Sequence, residues 1–368
     1  IFTKKYQSNP GSIVSTIADE NLTWETNYTA NLALEFGLFD QRLYGTIEWF
    51  TRDSKNLLQD VPIATVTGYS NKLQNIGKIN NKGFEIELGG DIIRNKQITW
   101  SASVTASILK SKVKKLYNGE DIIWYDPTGG DDRCKYIYRE GESTLSFYGR
   151  EWAGVDPSNG NNVWFVNGTA EQESKLTEGT TYFKYHGRWA TNSYGNSYEK
   201  IIGKADPKIY GGINTSVTWK GISLELNAIY KLGTKFYDGA EKDVNDDGYY
   251  WTRIRSSYVA KHRWTHTGQV TTVPQLRGND LEDAMAKSTR HIHTGDFLRL
   301  KTITLGYSLP KNIISKVALS NARVYCSGTN LLTWAAYKEV DPEVNDYGTR
   351  GWETPFCKII TFGLELTF

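Results

Sequence analysis

Residues 358–368 read KIITFGLELTF. Ile360, Phe362, Leu364, Leu366 and Phe368 take every second position, with Ile359, Thr361, Gly363, Glu365 and Thr367 between them. That is the period of a strand with one apolar and one more polar face. Domains in water usually fray into polar residues at their ends. An aromatic closing so clean a strand is placed there for an apolar contact.

The same alternation recurs at 28–38, 42–51, 83–92, 98–108, 143–155, 163–166, 210–219, 222–232, 297–309 and 322–332. In 98–108, Ile98, Trp100, Ala102, Val104, Ala106 and Ile108 alternate with Thr99, Ser101, Ser103, Thr105 and Ser107. Half of that strand is compatible with lipid and half with water. Eleven strands are predicted. Short connections fall near 39–41, 93–97, 156–162, 220–221 and 310–321, and long ones fill 52–82, 109–142, 167–209, 233–296 and 333–357. A β-sandwich has no reason to put its long loops at one end of every hairpin, whereas a bacterial outer-membrane barrel has short periplasmic turns and long extracellular loops. The fold expected is therefore all-β, an antiparallel transmembrane β-barrel. Single-chain bacterial barrels close with an even number of strands. Eleven strands ending in the periplasm would begin outside the cell, and an open sheet edge is not tolerated in lipid. The eleven are expected to be the C-terminal strands of a barrel of about twenty-two, the size class of plugged transporters.

Composition agrees. The 368 residues carry a net charge of +2, with no basic block to suggest nucleic acid. Mean hydropathy is −0.50 and no long apolar run reads as a transmembrane helix, a test to which alternating barrel strands are blind. The 23 Tyr and 12 Trp suit interfacial girdles or glycan-binding surfaces, and the 34 Gly suit turns and curving strands. Cys134, Cys326 and Cys357 are odd in number, lack a metal spacing and are read as unpaired. The sequence opens on Ile1 with no visible signal peptide, so its start is read as processed or as part-way along a longer chain.

Catalytic chemistry finds no foothold, and the chain is not read as an enzyme. His186, His262, His266, His291 and His293 form no HExxH or zinc-finger spacing, and there is no phosphate loop or GxSxG. His291 and His293 would share a strand face, which permits a metal. In DVNDDG (243–248), Asp243, Asn245 and Asp247 stand at positions 1, 3 and 5 of a calcium loop, but position 12 is Ile254. Ca²⁺ there would need a carboxylate from another loop, and the alternative is an ordinary polar turn. Trp124, Tyr125, Trp189, Tyr249, Trp251 and Trp334 fall in the long connections. Their rings are candidates for stacking on a substrate above the lumen, against the alternatives of an outer girdle or loop-to-loop packing.

Several stretches resemble the C-terminal half of the SusC/RagA family of TonB-dependent transporters. They are NLTWETNYTANLALEFGLFDQRLYGTIEWFTRDSKNLL (21–58), NIGKINNKGFEIEL (75–88), GDFLRLKTITLGYSLP (295–310) and SGTNLLTWAAYKEVDPE (327–343). RWTHTG (263–268) and Val273-Pro274 resemble a looser family pattern. The resemblance implies that 1–368 is the C-terminal portion of the barrel, in the outer membrane of a Gram-negative bacterium. The energy-coupling segment, the plug and the first barrel strands would lie elsewhere. It implies active import of oligosaccharides or peptides, with a SusD-like surface lipoprotein as lid, the TonB complex as motor, and outer-membrane lipid, the remaining barrel and the plug polypeptide as further partners. Phe362, Leu364, Leu366 and Phe368 then resemble the signal read by the barrel-assembly machinery. The alternatives are a passive porin-like channel and a secreted all-β glycan-binding protein.

Overall fold

The computed structural model describes every residue except 1, 7–8, 14–16, 64, 70, 128–133, 246–247, 249–251, 253, 278–286 and 315–318, with side chains from residue 17 onward apart from 62, 65 and 71. Its largest element is one antiparallel sheet of nine strands. These are β1 (Thr26–Leu38), β2 (Leu43–Pro62), β3 (Asn71–Arg94), β4 (Ile98–Lys115), β5 (Ile209–Trp219), β6 (Ile222–Leu232), β7 (Phe297–Ser308), β8 (Asn321–Ala335) and β9 (Ile359–Thr367). Each pairs only with its neighbours in this order, a meander.

Register turns the sequence alternation into two surfaces. One row of directly paired residues runs Leu34, Ile47, Ile86, Ala106, Gly211, Tyr230, Leu298, Trp334. The adjacent row, on the other face, runs Glu35, Thr46, Glu87, Thr105, Gly212, Ile229, Arg299, Thr333. Directly paired residues share a face, and neighbours along a strand do not. The first face therefore carries an apolar band across the whole sheet, and the second is mostly polar. The apolar face is also bare: Leu32 is 72% exposed, Leu364 62% and Phe362 80%. A bare apolar band of this extent is what a barrel wall turns to lipid.

Five strand glycines sit directly opposite aromatic residues whose side chains reach into the space a Cβ would need. They are Gly45 with Phe36, Gly83 with Phe50, Gly89 with Tyr44, Gly211 with Tyr230, and Gly363 with Tyr325. Laying a ring over a glycine covers backbone that a strand glycine otherwise leaves bare.

Connections still alternate, with corrected contents. One end carries turns at 39–42, 95–97, 220–221 and 309–320; the other carries 116–208, 233–296 and 336–358, and also 63–70, which is shorter than 309–320 where a long loop was expected. Lys220 and Gly221 have φ of 46° and 88°, the doubly positive pattern of a tight hairpin turn. Two of the eleven expected strands are not in the wall. The 143–155 segment divides into Ser146–Gly149 and Trp152–Val155, and the 163–166 segment is Asn162–Phe165; all three belong to small sheets within 116–208. Four residues rise only about 13 Å, against the 9–11 residues that roughly span a bilayer core. Conversely, much of 52–82 and 109–115, expected as loop, continues β2, β3 and β4 above the apolar band. Nine is still odd. Among the described residues β1 and β9 do not pair with each other, so the sheet is an arc of a larger barrel.

The long connections pack into a layer with its own core. Tyr136 and Phe147 are fully buried beside Cys134, Ala205 and Tyr237, with Trp124, Leu145, Ile202, Ile292 and Tyr347 around them. The three cysteines are unpaired, and burial pushes the Cys134 thiol up to about 12.

Candidate functional site

Two loops, 233–296 and 336–358, are joined by backbone: Tyr237 pairs in parallel with Thr349, and Asp238 with Arg350. Asp238 then serves both. Its carboxylate accepts from the Glu241 N–H at 3.0 Å, capping the helix Gly239–Val244, and from Arg350 Nη1 at 2.9 and 3.1 Å. The cap aims Glu241 at two imidazoles, His293 Nε2 at 2.6 Å and His291 Nδ1 at 3.4 Å. Burial opposes ionisation of Glu241, but these hydrogen bonds outweigh it and hold the carboxyl well below its usual range. Tyr337 from the second loop stacks on His293, with centroids 3.8 Å apart and planes at 11°. Burial, with Glu241 and Asp238 nearby, raises the Tyr337 phenol and keeps it a neutral donor.

Around this cluster lies a cavity of about 550 Å³ lined by Trp152, Tyr258, Arg290, His293, Tyr337 and Trp352, among others. Trp352 is 69% exposed, and the Arg290 guanidinium lies 5.4 Å from the Trp152 ring centre. A second hollow shares Glu339, Val340 and Arg350 with it and reaches the strand residues Arg299 and Thr333. Arg299 is 2% exposed on β7, bonding Asp341 at 2.5 Å, Glu343 at 2.8 Å and Thr333 at 3.0 Å, while Lys301 holds Glu343 at 2.9 Å. The VDPE stretch is thereby tied to the polar face of the wall. Breaking such a buried pair from one side costs roughly 3–5 kcal/mol. The arrangement offers ring faces, fixed charges and hydroxyls to a polar ligand.

The residues expected at the site are dispersed. Trp124 stacks on Tyr136 at 4.3 Å and 14° within the loop core, so its ring is used in packing. Tyr125, next to it, is 49% exposed. Trp189 has Lys184 Nζ 3.8 Å over its ring, which occupies one face. Trp334 stands on the apolar row opposite Leu298, at the long-loop end of the wall, and it also borders the second hollow. Tyr249, Trp251 and Asp247 lie outside the described residues. Asp243 is buried in the last turn of the Gly239–Val244 helix, and Asn245 is that helix's C-cap, accepting from the Ser256 hydroxyl. The stretch begins as helix, where a calcium loop or else a polar turn was expected, because Asp238 supplies the cap. His291 and His293 do converge, on Glu241; among the described residues no group of three or more His, Cys, Asp or Glu is arranged to hold a metal ion. Phe362, Leu364 and Leu366 lie on the apolar face, and Phe368 is 89% exposed. Trp152, Tyr258, Arg290, Tyr337 and Trp352 escaped the sequence reading; their one available signal was aromatic or basic character within a long connection.

A family model described as TonB dependent receptor-like, beta-barrel, matches residues 2–229. The chain belongs to the TonB-dependent receptor β-barrel family. TonB-dependent receptor P3 of Formosa agariphila is 30% identical over 97% of this chain and 36% of its own length. TonB-dependent receptor SusC of Bacteroides thetaiotaomicron is 26% identical over 95% of this chain and 32% of its own. The solved RagAB peptide transporter superposes with a TM-score of 0.80 at 27% identity, over 100% of this chain and 38% of that one. The chain thus spans about a third of the length of the curated relatives it matches. The SusC/RagA resemblance stands, and the nine-stranded sheet is wall of a TonB-dependent receptor barrel in the outer membrane.

Proposed function

We infer that this TonB-dependent receptor wall serves an importer that takes up polar oligomers, oligosaccharides in the first place, across the outer membrane. The observation carrying the reading is the aromatic-lined cavity between loops 233–296 and 336–358, whose neighbouring hollow reaches Arg299 and Thr333 on the polar face of the wall. Exposed Trp352 and the Tyr337 hydroxyl suit sugar rings, with one flat apolar face and a polar edge. Peptide cargo is the second reading, favoured by the charges of Glu241, Arg290 and Arg350 around the same space and by the relative named a peptide transporter. A SusD-like lipoprotein covering the loops, a plug and the TonB complex would complete the machine; this chain supplies wall, lumen lining and a docking surface.

Uptake of labelled oligosaccharide and oligopeptide mixtures by cells carrying the full-length transporter tests this, with and without TonB. Import that stops without TonB, and a Trp352→Ala variant impaired for oligosaccharide, are expected. Uptake indifferent to TonB would replace the reading with passive diffusion, and Trp352→Ala impaired only for peptide would select the second cargo.

A further inference from the structure

The apolar face of the wall has an upper border, and its chemistry changes along the arc. On β1–β4 the last fully apolar row is Leu32, Trp49, Phe84, Ile108. Two residues further up each strand, on the same face, the row is Ala30, Thr51, Lys82, Lys110. The next is Tyr28, Asp53, Asn80, Lys112. Two residues of strand rise about 7 Å, so Lys82 and Lys110 stand one step above the Trp49–Phe84 level, where aromatic residues mark the membrane interface. Lys112 is one step higher.

Lys82 and Lys110 are directly paired across the ladder, and both are exposed. Like charges placed opposite each other destabilise a sheet, and among the described residues no carboxylate is paired with either lysine. Asp53, the one carboxylate in these two rows, is engaged with Lys78 at 3.0 Å and accepts from Asn80 at 2.7 Å. Lys55, also on β2, lies over the Tyr28 ring at 4.4 Å. Along β5–β8 the paired wall stops short of the lysine row, on Ile209 and Leu232, level with Ile108, and one step lower on Leu298 and Trp334. At the short-turn end of β1–β5 the face closes on Leu38, Leu43, Trp100 and Trp219.

We propose that Lys82, Lys110 and Lys112 form a binding site for the phosphate of an outer-leaflet lipid headgroup, whose acyl chains lie down the Leu32–Trp49–Phe84–Ile108 rows below. The ligand is fixed by the two neighbouring surfaces together: a phosphate for three lysines at headgroup height, and hydrocarbon for the bare apolar strip beneath them. The site faces away from the lumen, so it is separate from cargo binding; it rests on the membrane-spanning reading of the wall and is indifferent to what is imported. Long lysine stems reach along apolar surface and place the ammonium among phosphates.

The test is native mass spectrometry of the full-length transporter in detergent, titrated with a bisphosphorylated glucosamine lipid or its dephosphorylated analogue. Millimolar inorganic phosphate serves as competitor. At about fivefold per lysine near an anionic surface, K82Q/K110Q is expected to bind the phosphorylated lipid roughly 25-fold more weakly. K82R/K110R should bind like the unaltered protein, as should K220Q, whose lysine lies in a short turn at the other end of the wall. The dephosphorylated lipid should show no difference among these proteins. Equal binding of the phosphorylated lipid by K82Q/K110Q and the unaltered protein overturns the proposal. So does displacement of that lipid by inorganic phosphate, which would make this a site for a free anion. Heat-dependent migration on gels confirms that each variant is a folded barrel.

Discussion

Phe362 and Phe147 are the same residue in opposite circumstances: one is 80% exposed on β9, the other fully buried between the strands of the loop layer. The wall turns its apolar side chains outward and lines itself with Thr, Ser, Asn and Glu; the loop layer does the reverse. Nothing about phenylalanine changed between them, only the solvent on the far side. Where that solvent is lipid, exposing a ring sacrifices nothing. Where it is water, the ring must find a core, and Tyr136, Tyr237 and Cys134 provide one.

The sharpest way to break the comparison is to cut the same residue in both regions. Phe147→Ala is expected to lower loop-layer stability by about 3–5 kcal/mol, as a buried ring lost to a cavity does. Phe362→Ala should cost far less, because lipid fills the space. Protease protection of 116–208 and unfolding of the full-length barrel in denaturant report the two; equal losses would mean the apolar face is covered by protein.

Next in size, Ile47→Arg places a charge in the outward band and should destabilise the barrel by about 2–4 kcal/mol. Thr46→Arg, one residue away and facing the lumen between Glu35 and Glu87, should be nearly neutral. A reversed order in the same unfolding assay would exchange the two faces.

Asn75 tests the wall's upper rim. Its side chain accepts from the Thr23 N–H at 2.7 Å and donates to the carbonyls of Thr23 and Asn56, each at 2.8 Å. Asn56 has φ of 56° at a bulge in β2. Asn75→Ala should cost about 1–3 kcal/mol, the range for polar groups left without partners. Faster hydrogen exchange confined to 21–27 and 54–58 is the expected signature, and exchange unchanged there would remove Asn75 as the tie.

The smallest effect is electrostatic and belongs to the loop layer. Hydrogen bonds from Arg188, and then Lys200, outweigh burial and bring the Glu151 carboxyl from 4.5 down to about 2. A depressed acid stabilises the fold above its unfolded value and loses that contribution as pH falls through the folded one. The sheet containing Trp152–Val155 should therefore become protease-sensitive between pH 4.5 and about 2 while the wall keeps its strand signal. Simultaneous loss of both would remove the distinction.

This difference in construction also decides what could be read without coordinates. The wall was legible because lipid on one side and water on the other print a period of two over 9 to 24 residues. The loop layer prints no period. Its strands are short, and their partners are distant: Ser146–Gly149 pairs with Lys200–Lys204, and Tyr237 with Thr349. Segment 143–155 therefore passed for a wall strand, although Asn162–Phe165, at four residues, was too short to span anything. At the site, His291 and His293 showed their spacing but not Glu241, which lies about fifty residues upstream and is aimed by a cap. Trp334 was read as part of a connection because it falls two residues past the expected end of that strand, which in fact runs to Ala335.

The five ring-over-glycine pairs bear on how the wall finds its alignment. A one-residue slip of any hairpin would exchange its lipid and lumen faces, which membrane insertion itself would reject. A two-residue slip is subtler, since it preserves both faces. It would move Tyr325 from Gly363 onto Thr361 or Glu365, and Phe50 from Gly83 onto Lys82's other neighbour, Asn81, or onto Glu85. In each case a side chain would stand where the ring now lies. The glycines thus act as notches and the rings as keys, checking the one class of error that hydrophobicity cannot detect.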